Sequence, residues 1–451
     1  MTRLHGPRGD RSEARPELPA WPIAWLFVGY PVWWILGLGE AAWILAAAAM
    51  AYFIAKTGRR LVPIGFGLVL ALLMWIALSG VAIDSFGRLL GFAFRFAQYA
   101  SFAVLFVYVY NARPTVSLNR LLAYLTAFWG WIIVGGYLAL AFPTAVIRTP
   151  LSYVLPDSLL GNDLIQQMVV RRLTQFNPEA WAYIDPRPSA PFLYTNNWGN
   201  AYSLLLPLVL LLITRMPAGW RRWGLIVAVP VSAVPAFLTL NRGMFIGLGV
   251  VAFVIAVRLA LQGRTRAVLG LAGLGGAGLL LVWLLPVADR LSNRLEISGT
   301  NDDRLGVYFE TIARTATSPL FGFGAPRPAE ASSGFAPPVG TQGQIWMVLF
   351  SHGYIGLLLF ISVLVWMTVR AFKWPDLAGI VASGVLCALL VEVFYYGVLG
   401  AGLAIAFVLG ALAMREWPLS PPDELTNVLR DPIAHGSTRS RVNGDDARAI
   451  A

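Results

Sequence analysis

The sequence predicts an all-α, polytopic membrane protein with about twelve transmembrane helices and two large extracytoplasmic loops. Of its 451 residues, 57% are hydrophobic and 13% are charged, and the mean hydropathy is +0.66. A soluble chain of this length carries far more charge. Apolar stretches of about 20 residues, the length that crosses a bilayer, recur along the chain. Because backbone polar groups cannot stay unpaired in lipid, we expect each stretch to be helical.

The apolar stretches place the spans in order. The first begins at Trp21 after a polar tail and lacks a small-residue cleavage site, so we expect it to remain uncleaved. The spans are expected near residues 21–38, 40–55, 61–81, 89–110, 121–142, 198–214, 224–240, 244–261, 267–287, 344–369, 377–396 and 398–414.

The basic residues of the short connections set the predicted orientation. They fall on one side of the spans, and the positive-inside rule makes that side the cytoplasm. Both termini of this plasma (inner) membrane protein are then cytoplasmic, with disordered tails at 1–20 and 415–451 around a membrane domain at 21–414. The basic residues are Lys56, Arg59, Arg60, Arg113, Arg120, Arg215, Arg221, Arg222, Arg258, Arg264, Arg266, Arg370, Lys373 and Arg415.

Two long connections, 143–195 and 288–343, are predicted to lie outside the cytoplasm. In the first, apolar residues recur at helical spacing from Leu159 to Leu173, with Arg171 on the opposite face. This pattern predicts a helix lying on the outer leaflet.

The second connection also contains a helical pattern. Asn301 is a candidate N-cap for a helix whose apolar stripe runs from Leu305 to Ile312. The proline and glycines that begin at Pro319 are expected to end it.

Several arginines lie on the predicted outer side, against the positive-inside pattern. Arg242 is the most informative, because it stands alone in a tight turn between two spans. A guanidinium fork suits phosphate or pyrophosphate at a membrane surface, and the alternative is a snorkelling or salt-bridged residue. The outer arginines are Arg171, Arg172, Arg187, Arg242, Arg290, Arg294, Arg304, Arg314 and Arg327.

Arg95 lies about two turns into the fourth predicted span. An unpaired charge is costly there, so Arg95 is expected to face protein or water. Glu392 and Glu40 are candidate partners, and both a structural ion pair and a role in a site stay open.

Acids and a histidine on the outer side are further candidates. The adjacent Asp302 and Asp303 can hold a divalent metal together with phosphate oxygens, or cap a helix and complement its dipole. His352, inside the tenth predicted span, is either a satisfied packing residue or a general base.

Several classes of function are disfavoured. The sequence has no nucleotide-binding loop, no Cys/His metal cluster and no Gly-x-Ser-x-Gly elbow, which argues against a nucleotide-driven pump. The net charge of +11 does not by itself indicate nucleic acid, because charge in a membrane protein is first sorted by side. The single Cys387 cannot form an intrachain disulfide.

Four blocks of sequence between residues 187 and 356 form a distinctive pattern. The blocks are Arg187 to Asn200, leading into a span; the Leu240–Gly243 turn; Arg304 and Tyr308 followed by Ser318–Gly324; and Thr341–Trp346 through His352–Gly356. In their order and with this topology, the blocks resemble the O-antigen ligase and O-antigen polymerase superfamily of bacterial membrane glycosyltransferases.

The resemblance implies a GT-C-like fold and transfer of a glycan from a polyprenyl-pyrophosphate-linked donor. The acceptor is a hydroxyl of a saccharide or lipid-glycan on the outer face, and the transfer is inverting with no metal or cofactor. Arg242 and Arg304 are expected to hold the pyrophosphate as its charge grows. The other candidates are Gln342 and Glu310 for catalysis, and Arg95, Arg187, Asn197, Tyr308, Arg171 and His352 for substrate binding.

One departure from the superfamily bears on the mechanism. Ligases carry His-Asn where this sequence has Gln342 and Gly343, and glutamine cannot take a proton. Either Glu310, Asp303 or His352 activates the acceptor, or strong stabilisation of the leaving group leaves little need for a base. The departure favours a polymerase-like or cell-envelope polysaccharide enzyme over a lipid A ligase.

A transporter or flippase of lipid-linked oligosaccharide is the competing hypothesis, since it also needs many spans and internal arginines. Transporters usually show internal repeats and broken helices near the midplane. This sequence shows no convincing repeat, and its polar residues cluster in the outer loops, which favours an enzyme. A non-catalytic scaffold would leave the outer arginines unexplained.

Overall fold

The protein is a helical, membrane-embedded chain. Within the ranges that the computed structural model describes it is mostly helical, with sixteen α-helices. Six of these helices are long and apolar enough to cross a membrane. The described ranges are 17–58, 61–176, 186–284, 300–328 and 338–416, so most of both predicted tails lies outside them.

Helix occurs at the place of each predicted span, with the first span divided between two helices; the number of crossings stays a prediction. The helices are α1 (Trp21–Phe27), α2 (Tyr30–Leu36), α3 (Ala42–Lys56), α4 (Gly67–Ser79), α5 (Phe86–Asn111), α6 (Leu118–Ala141), α7 (Asp157–Leu160), α8 (Asp163–Val169), α9 (Thr195–Arg215), α10 (Trp220–Leu238), α11 (Arg242–Leu261), α12 (Thr265–Leu284), α13 (Thr300–Thr315), α14 (Gln344–Phe372), α15 (Leu377–Glu392) and α16 (Ala401–Glu416).

Proline moves two boundaries from their predicted places. Pro31 lies in the first turn of α2, where its missing N–H costs no hydrogen bond, and it separates α2 from α1. The third predicted span starts late because Pro63 and Phe66 form a turn, with the Phe66 N–H donating to the Pro63 carbonyl at 3.1 Å. Helix α4 therefore begins only at Gly67.

The expectation of an all-α chain misses two short antiparallel sheets in the first long loop. The predicted outer-leaflet helix is wrong beyond Val169, because the chain becomes extended there and Arg171 pairs with Ile147. Helical spacing is a local pattern, whereas strand pairing depends on a partner far away in sequence. The strands are β1 (Val146–Arg148) with β2 (Val170–Arg172), and β3 (Thr174–Gln175) with β4 (Arg187–Pro188).

The last two predicted spans are separated by more chain than expected. Helix α15 ends at Glu392 and α16 begins at Ala401, so residues 393–400 form a connector where the sequence predicts almost continuous helix. Gly400 adopts a φ of +118°, which favours glycine and breaks the helical path.

The connections gather at two ends of the helical bundle. At one end, which we call the loop end, Asn197 bonds to Gly397 at 3.0 Å, and the first long loop lies there too. At the other, the tail end, Arg215 bonds to Asn119 at 2.6 Å. This grouping matches the predicted alternation of sides, while the assignment of the tail end to the cytoplasm stays a prediction.

Helix α14 is interrupted at Gly353, whose φ of +68° and ψ of −172° are not helical. The segment 318–324 docks at the interruption and pairs with the backbone groups that the helix leaves free. The bonds run from the N–H groups of Phe323 and Gly324 to the carbonyls of Phe350 and Ser351, at 2.9 and 2.8 Å, and from the Tyr354 N–H to the Pro319 carbonyl at 2.9 Å.

Helix α13 confirms the predicted helix of the second loop, beginning one residue before the expected cap Asn301. Its packed face contains the buried Val307 and Thr311. Its apolar stripe faces away from the protein, and Phe309 is 69% exposed. This arrangement is typical of a helix lying at a membrane surface.

Candidate functional site

The connector 393–400 lies at the centre of the loop end. The Gln344 N–H donates to the Tyr396 carbonyl at 2.7 Å, and the Gln344 side-chain oxygen accepts from two further N–H groups of the connector at 3.0 and 3.1 Å. Asn197 in the first turn of α9 donates to the Gly397 carbonyl at 3.0 Å. The connector thus joins α9 and α14, which carry two of the four blocks singled out in the sequence.

Asn241 anchors the turn before α11. Its side chain is buried and donates to the Thr195 carbonyl at 3.1 Å, while its side-chain oxygen accepts from the Tyr396 hydroxyl. Gly199 of α9 lies directly against it, and a Cβ at that glycine would overlap the Asn241 amide. The turn is therefore fixed to α9 on one side and to the connector on the other.

Gly243 fixes the other side of the same turn. A Cβ there would lie 2.5 Å from the Tyr396 hydroxyl oxygen and would also overlap the Tyr395 ring. The Tyr395 hydroxyl donates to the Gly243 carbonyl at 3.1 Å. Glycine is needed because the two tyrosines approach the backbone so closely.

Arg242, between these two anchored residues, is exposed and makes no hydrogen bond or ion pair with the described part of the chain. It is the first residue of the 20-residue helix α11. A helix N-terminus carries free N–H groups and a partial positive charge, so the helix end and the guanidinium both favour an anion at this place. This geometry excludes a salt bridge of Arg242 within the described residues.

Arg95 of α5 is half-buried and has no ion pair or hydrogen bond among the described residues. Neither of the two candidate partners, Glu392 and Glu40, forms an ion pair with it. Its charge lies close to Tyr99, whose hydroxyl accepts a hydrogen bond from the Gln344 side chain at 2.7 Å. Arg95 thus adds a second unpaired positive charge near the residues that hold the connector.

Tyr308 places α13 against the start of α14. Its hydroxyl donates to the Gln342 carbonyl at 2.9 Å, and its ring stacks on Trp346 with centroids 4.5 Å apart. Arg304 lies one helical turn earlier in α13, and its side chain is outside the described part of the structure, as are those of Asp302 and Asp303. Whether Arg304 faces Arg242 stays a prediction.

Glu392, the last residue of α15, is fully buried at 0% exposure. Its two carboxylate oxygens accept from Asn200 and from the Ser203 hydroxyl, each at 2.6 Å. Gly247 of α11 lies across from it, leaving no room for a Cβ. Glu392 joins α9, α11 and α15 beneath the Arg242 turn.

Arg171 and Glu40 form a second polar group at the loop end. Arg171 is 1% exposed, and its closest acid is Glu40, with 3.9 Å between guanidinium nitrogen and carboxylate oxygen. That distance is too long for a hydrogen bond, and none of the three guanidinium nitrogens has one with the part of the chain that the structure describes. The neighbouring candidate Arg187 donates instead to the Gln175 side chain at 3.2 Å.

His352 and Glu310, two of the proposed bases, are held by neighbours. His352 is buried, and its Nδ1 lies 2.6 Å from the Ser79 hydroxyl. Glu310 accepts a hydrogen bond from Arg314 one turn later in α13, at 3.1 Å. Both contacts favour a structural role for these two residues.

Asp84, between α4 and α5, forms ion pairs with two more arginines, Arg88 and Arg327. Hydrogen bonding from Arg88 holds the pKa of the Asp84 carboxyl below its usual range, and the charge of Arg327 acts in the same direction. Arg327 pairs with Asp84 at 2.6 Å, while Arg88 donates to the carbonyl of Ala325 at 2.9 Å. Arg327 is therefore a structural residue that ties the second loop to α5.

Arginines at the tail end are bonded in a different way. Arg258 donates to the carbonyls of Gly379, Phe372 and Trp374, at 2.9 to 3.1 Å. Arg415 donates to carbonyls at both ends of the α5–α6 connection, at 2.7 and 2.9 Å. These guanidinium groups are bonded to backbone carbonyls close to helix ends.

The sequence did not single out the connector, Gln344, or the pair Tyr395 and Tyr396. The signal in the sequence is a Tyr-Tyr-Gly triplet that interrupts an otherwise apolar run. Hydropathy alone assigns most of this triplet to a span. Among the described residues no group of His, Cys, Asp and Glu is arranged to hold a metal ion. A scan against models of protein families finds no match, and a search of curated proteins finds none.

Proposed function

We propose that this protein transfers a glycan from a polyprenyl-pyrophosphate-linked donor to an acceptor hydroxyl at the outer face of the plasma membrane. The proposal joins the resemblance to the O-antigen ligase and polymerase superfamily with the chemistry of the loop end. A polymerase-like or cell-envelope polysaccharide enzyme fits better than a lipid A ligase, because Gln342 stands where ligases carry histidine.

The observation that carries the proposal is the turn that presents Arg242. Its two neighbours are buried or tightly packed, yet Arg242 itself, at a helix N-terminus, is exposed and has no partner among the described residues. A chain that needed only a tight turn would not require a charge at this place. An arginine held in this way is suited to a ligand that carries several negative charges.

A diphosphate leaving group explains why arginine is used. As the bond from the sugar to the diphosphate breaks, the negative charge on the diphosphate grows, and a guanidinium already in place stabilises it. Arg304 is proposed to act beside Arg242. The isoprenoid tail of the donor would lie in lipid between the spans, while the acceptor enters from the aqueous side.

The test uses the purified full-length protein in lipid nanodiscs with EDTA. Lipid-linked glycan extracted from the source membranes supplies donor and acceptor, and polyprenyl diphosphate alone serves as a binding probe. We expect Arg242→Ala to lower the transfer rate about 100- to 1,000-fold, the usual cost of losing one group that stabilises a developing charge. Polyprenyl diphosphate should raise the thermal midpoint of the wild type but not of this variant.

Arg266→Ala is the matched control, because Arg266 is also exposed near a helix N-terminus but lies at the tail end. It should retain wild-type transfer and binding. Full transfer by both Arg242→Ala and Arg304→Ala would contradict the proposal, and so would a wild-type protein that joins no glycan. Transfer abolished by EDTA would contradict the metal-independent mechanism.

A transporter or flippase of lipid-linked oligosaccharide is the second candidate, and the interrupted helix α14 favours it. Broken helices at membrane depth occur in transporters, where they line a substrate path. Here the segment 318–324 fills the break, which supports a structural use. Movement of labelled lipid-linked glycan between leaflets, without any joined product, would decide for transport.

A further inference from the structure

A small cavity lies at the loop end, next to the first turn of α9. Its volume is about 20 Å³, enough for one water-sized group such as a hydroxyl. Its polar lining comes from Tyr30, Glu40, Asn197 and Asn200, and the connector closes one side. Donors and acceptors of this kind are suited to a hydroxyl group, which both donates and accepts a hydrogen bond.

Arg171 lies behind Glu40 at this cavity. A Cβ at Gly39 would lie 2.9 Å from Nη2 of Arg171. The absence of a side chain at Gly39 therefore leaves room for the Arg171 guanidinium. Burying a guanidinium without hydrogen bonds is costly, and the tail-end Arg258 shows how this chain satisfies an arginine elsewhere. The Arg171 charge, which has no hydrogen bond among the described residues, instead acts on Glu40 at 3.9 Å, since a nearby positive charge favours the carboxylate form.

Glu40 differs from three hydrogen-bonded carboxylates at the loop end. Glu392 accepts two hydrogen bonds from side chains, Glu310 is bonded to Arg314, and Asp84 is bonded to arginines. Glu40 accepts no hydrogen bond from the described residues, and its side chain is 18% exposed. It is thus a cavity-lining carboxylate with its oxygens available.

We propose that Glu40 is the catalytic base of the transfer reaction, with the cavity receiving the acceptor hydroxyl and Arg171 acting as a positioning residue. The inference rests on the proposed function. The hydroxyl proton passes to the Glu40 carboxylate while the hydroxyl oxygen bonds to the anomeric carbon. The bond from that carbon to the diphosphate oxygen breaks, and its electron pair leaves with the diphosphate held at Arg242.

The two groups lie beside the same end of α9. Asn241, beside Arg242, contacts Thr195 and Gly199 of α9, whereas Asn197 and Asn200 of the same stretch line the cavity. An inverting displacement needs the attacking hydroxyl and the departing diphosphate on opposite faces of the sugar.

The pH dependence gives a distinctive signature. Burial raises the pKa of the Glu40 carboxyl, and the Arg171 charge opposes this rise; Tyr30 and Tyr194 are the other titratable groups facing it. A base must be deprotonated, so transfer falls as the pH drops through the pKa of Glu40. Replacing Arg171 with glutamine removes the opposing charge and should move this acidic limb to higher pH.

The experiment measures transfer and polyprenyl diphosphate binding in parallel on the full-length protein. Glu40→Gln should lower transfer at least about 100-fold, with loss of the acidic limb, while the diphosphate still raises the thermal midpoint as in the wild type. Glu40→Ala should regain part of its activity with added formate. Asp157→Asn, an exposed acid at the same end, should leave both readouts unchanged.

Two results would overturn the inference while leaving the proposed function intact. One is wild-type transfer by Glu40→Gln. The other is loss of transfer and diphosphate binding together in every Glu40 variant, which indicates a structural residue. If the acidic limb of the pH–rate profile lies at the same pH in Arg171→Gln as in the wild type, the role given to Arg171 is overturned. A wild-type protein without transfer activity would overturn the proposed function and this inference with it.

Discussion

At the scale of single residues, the turn before α11 has two positions that packing constrains and, between them, one that it does not. Asn241 is needed for two buried hydrogen bonds and Gly243 for the space that Tyr395 and Tyr396 occupy. Arg242 between them has no partner among the described residues. Stability therefore depends on the flanking residues, whereas the proposed chemistry depends on the middle one.

Gly243→Ala tests the constrained side of this contrast. The added methyl would push against both tyrosines, so we expect a loss of about 1–3 kcal/mol in the free energy of unfolding, the usual cost of overpacking. Gly249→Ala is the control on the same helix, because nothing lies within 4 Å of a Cβ there, and it should be neutral or slightly stabilising. Thermal unfolding in detergent measures both, and equal midpoints for the two variants would contradict this account.

Sequence alone could single out Arg242, because a lone arginine in a short outer turn departs from the positive-inside bias. Sequence alone could not show that Glu392 accepts hydrogen bonds from Asn200 and Ser203, which are about 190 residues away in the chain. Nor could it show that Arg171 is buried, since that follows from strand pairing across the first loop. Charge placement is local information, while side-chain pairing is set by tertiary structure.

At the scale of elements, the interruption of α14 is a feature that the hydropathy pattern does not predict. The sequence predicts one continuous span at 344–369, and its glycines give no sign of the break, because glycine also occurs in ordinary transmembrane helices. The docked segment 318–324 supplies the backbone hydrogen bonds that the break leaves open. The element is thus built from two parts of the chain that a periodicity analysis treats separately.

Gly353→Ala is expected to undo this docking. Its φ and ψ lie in a region that is essentially reserved for glycine, and a Cβ there would meet the carbonyl oxygen of Pro319 at 2.5 Å. Hydrogen exchange should accelerate at the amides of Phe323, Gly324 and Tyr354, which bond across the break. Gly67→Ala, where a Cβ has open space, should leave their exchange unchanged, and unaltered exchange in Gly353→Ala would refute the assigned role.

At the scale of the whole molecule, three arginines at the loop end differ in their bonding from two at the tail end. Arg258 and Arg415 at the tail end donate hydrogen bonds to backbone carbonyls close to helix ends. Arg95, Arg171 and Arg242 at the loop end make no hydrogen bond among the described residues. The alternation of ends was predictable, because hydrophobic length and basic connections suffice for it. The convergence of three distant segments (α9, the turn before α11, and α14) on one connector was not predictable, since no local pattern encodes it.

The orientation of the bundle decides whether the loop end can meet an extracytoplasmic substrate. Positive-inside bias predicts that the basic tail end is cytoplasmic. Since Cys387 is the single cysteine, Cys387→Ala gives a background for Tyr153→Cys at the loop end and Trp220→Cys at the tail end, positions that are 74% and 80% exposed. A membrane-impermeant thiol reagent on intact cells should label Tyr153→Cys alone, and both variants once the membranes are opened. The reverse pattern would place Arg242 in the cytoplasm, where the proposed transfer at the outer face is impossible.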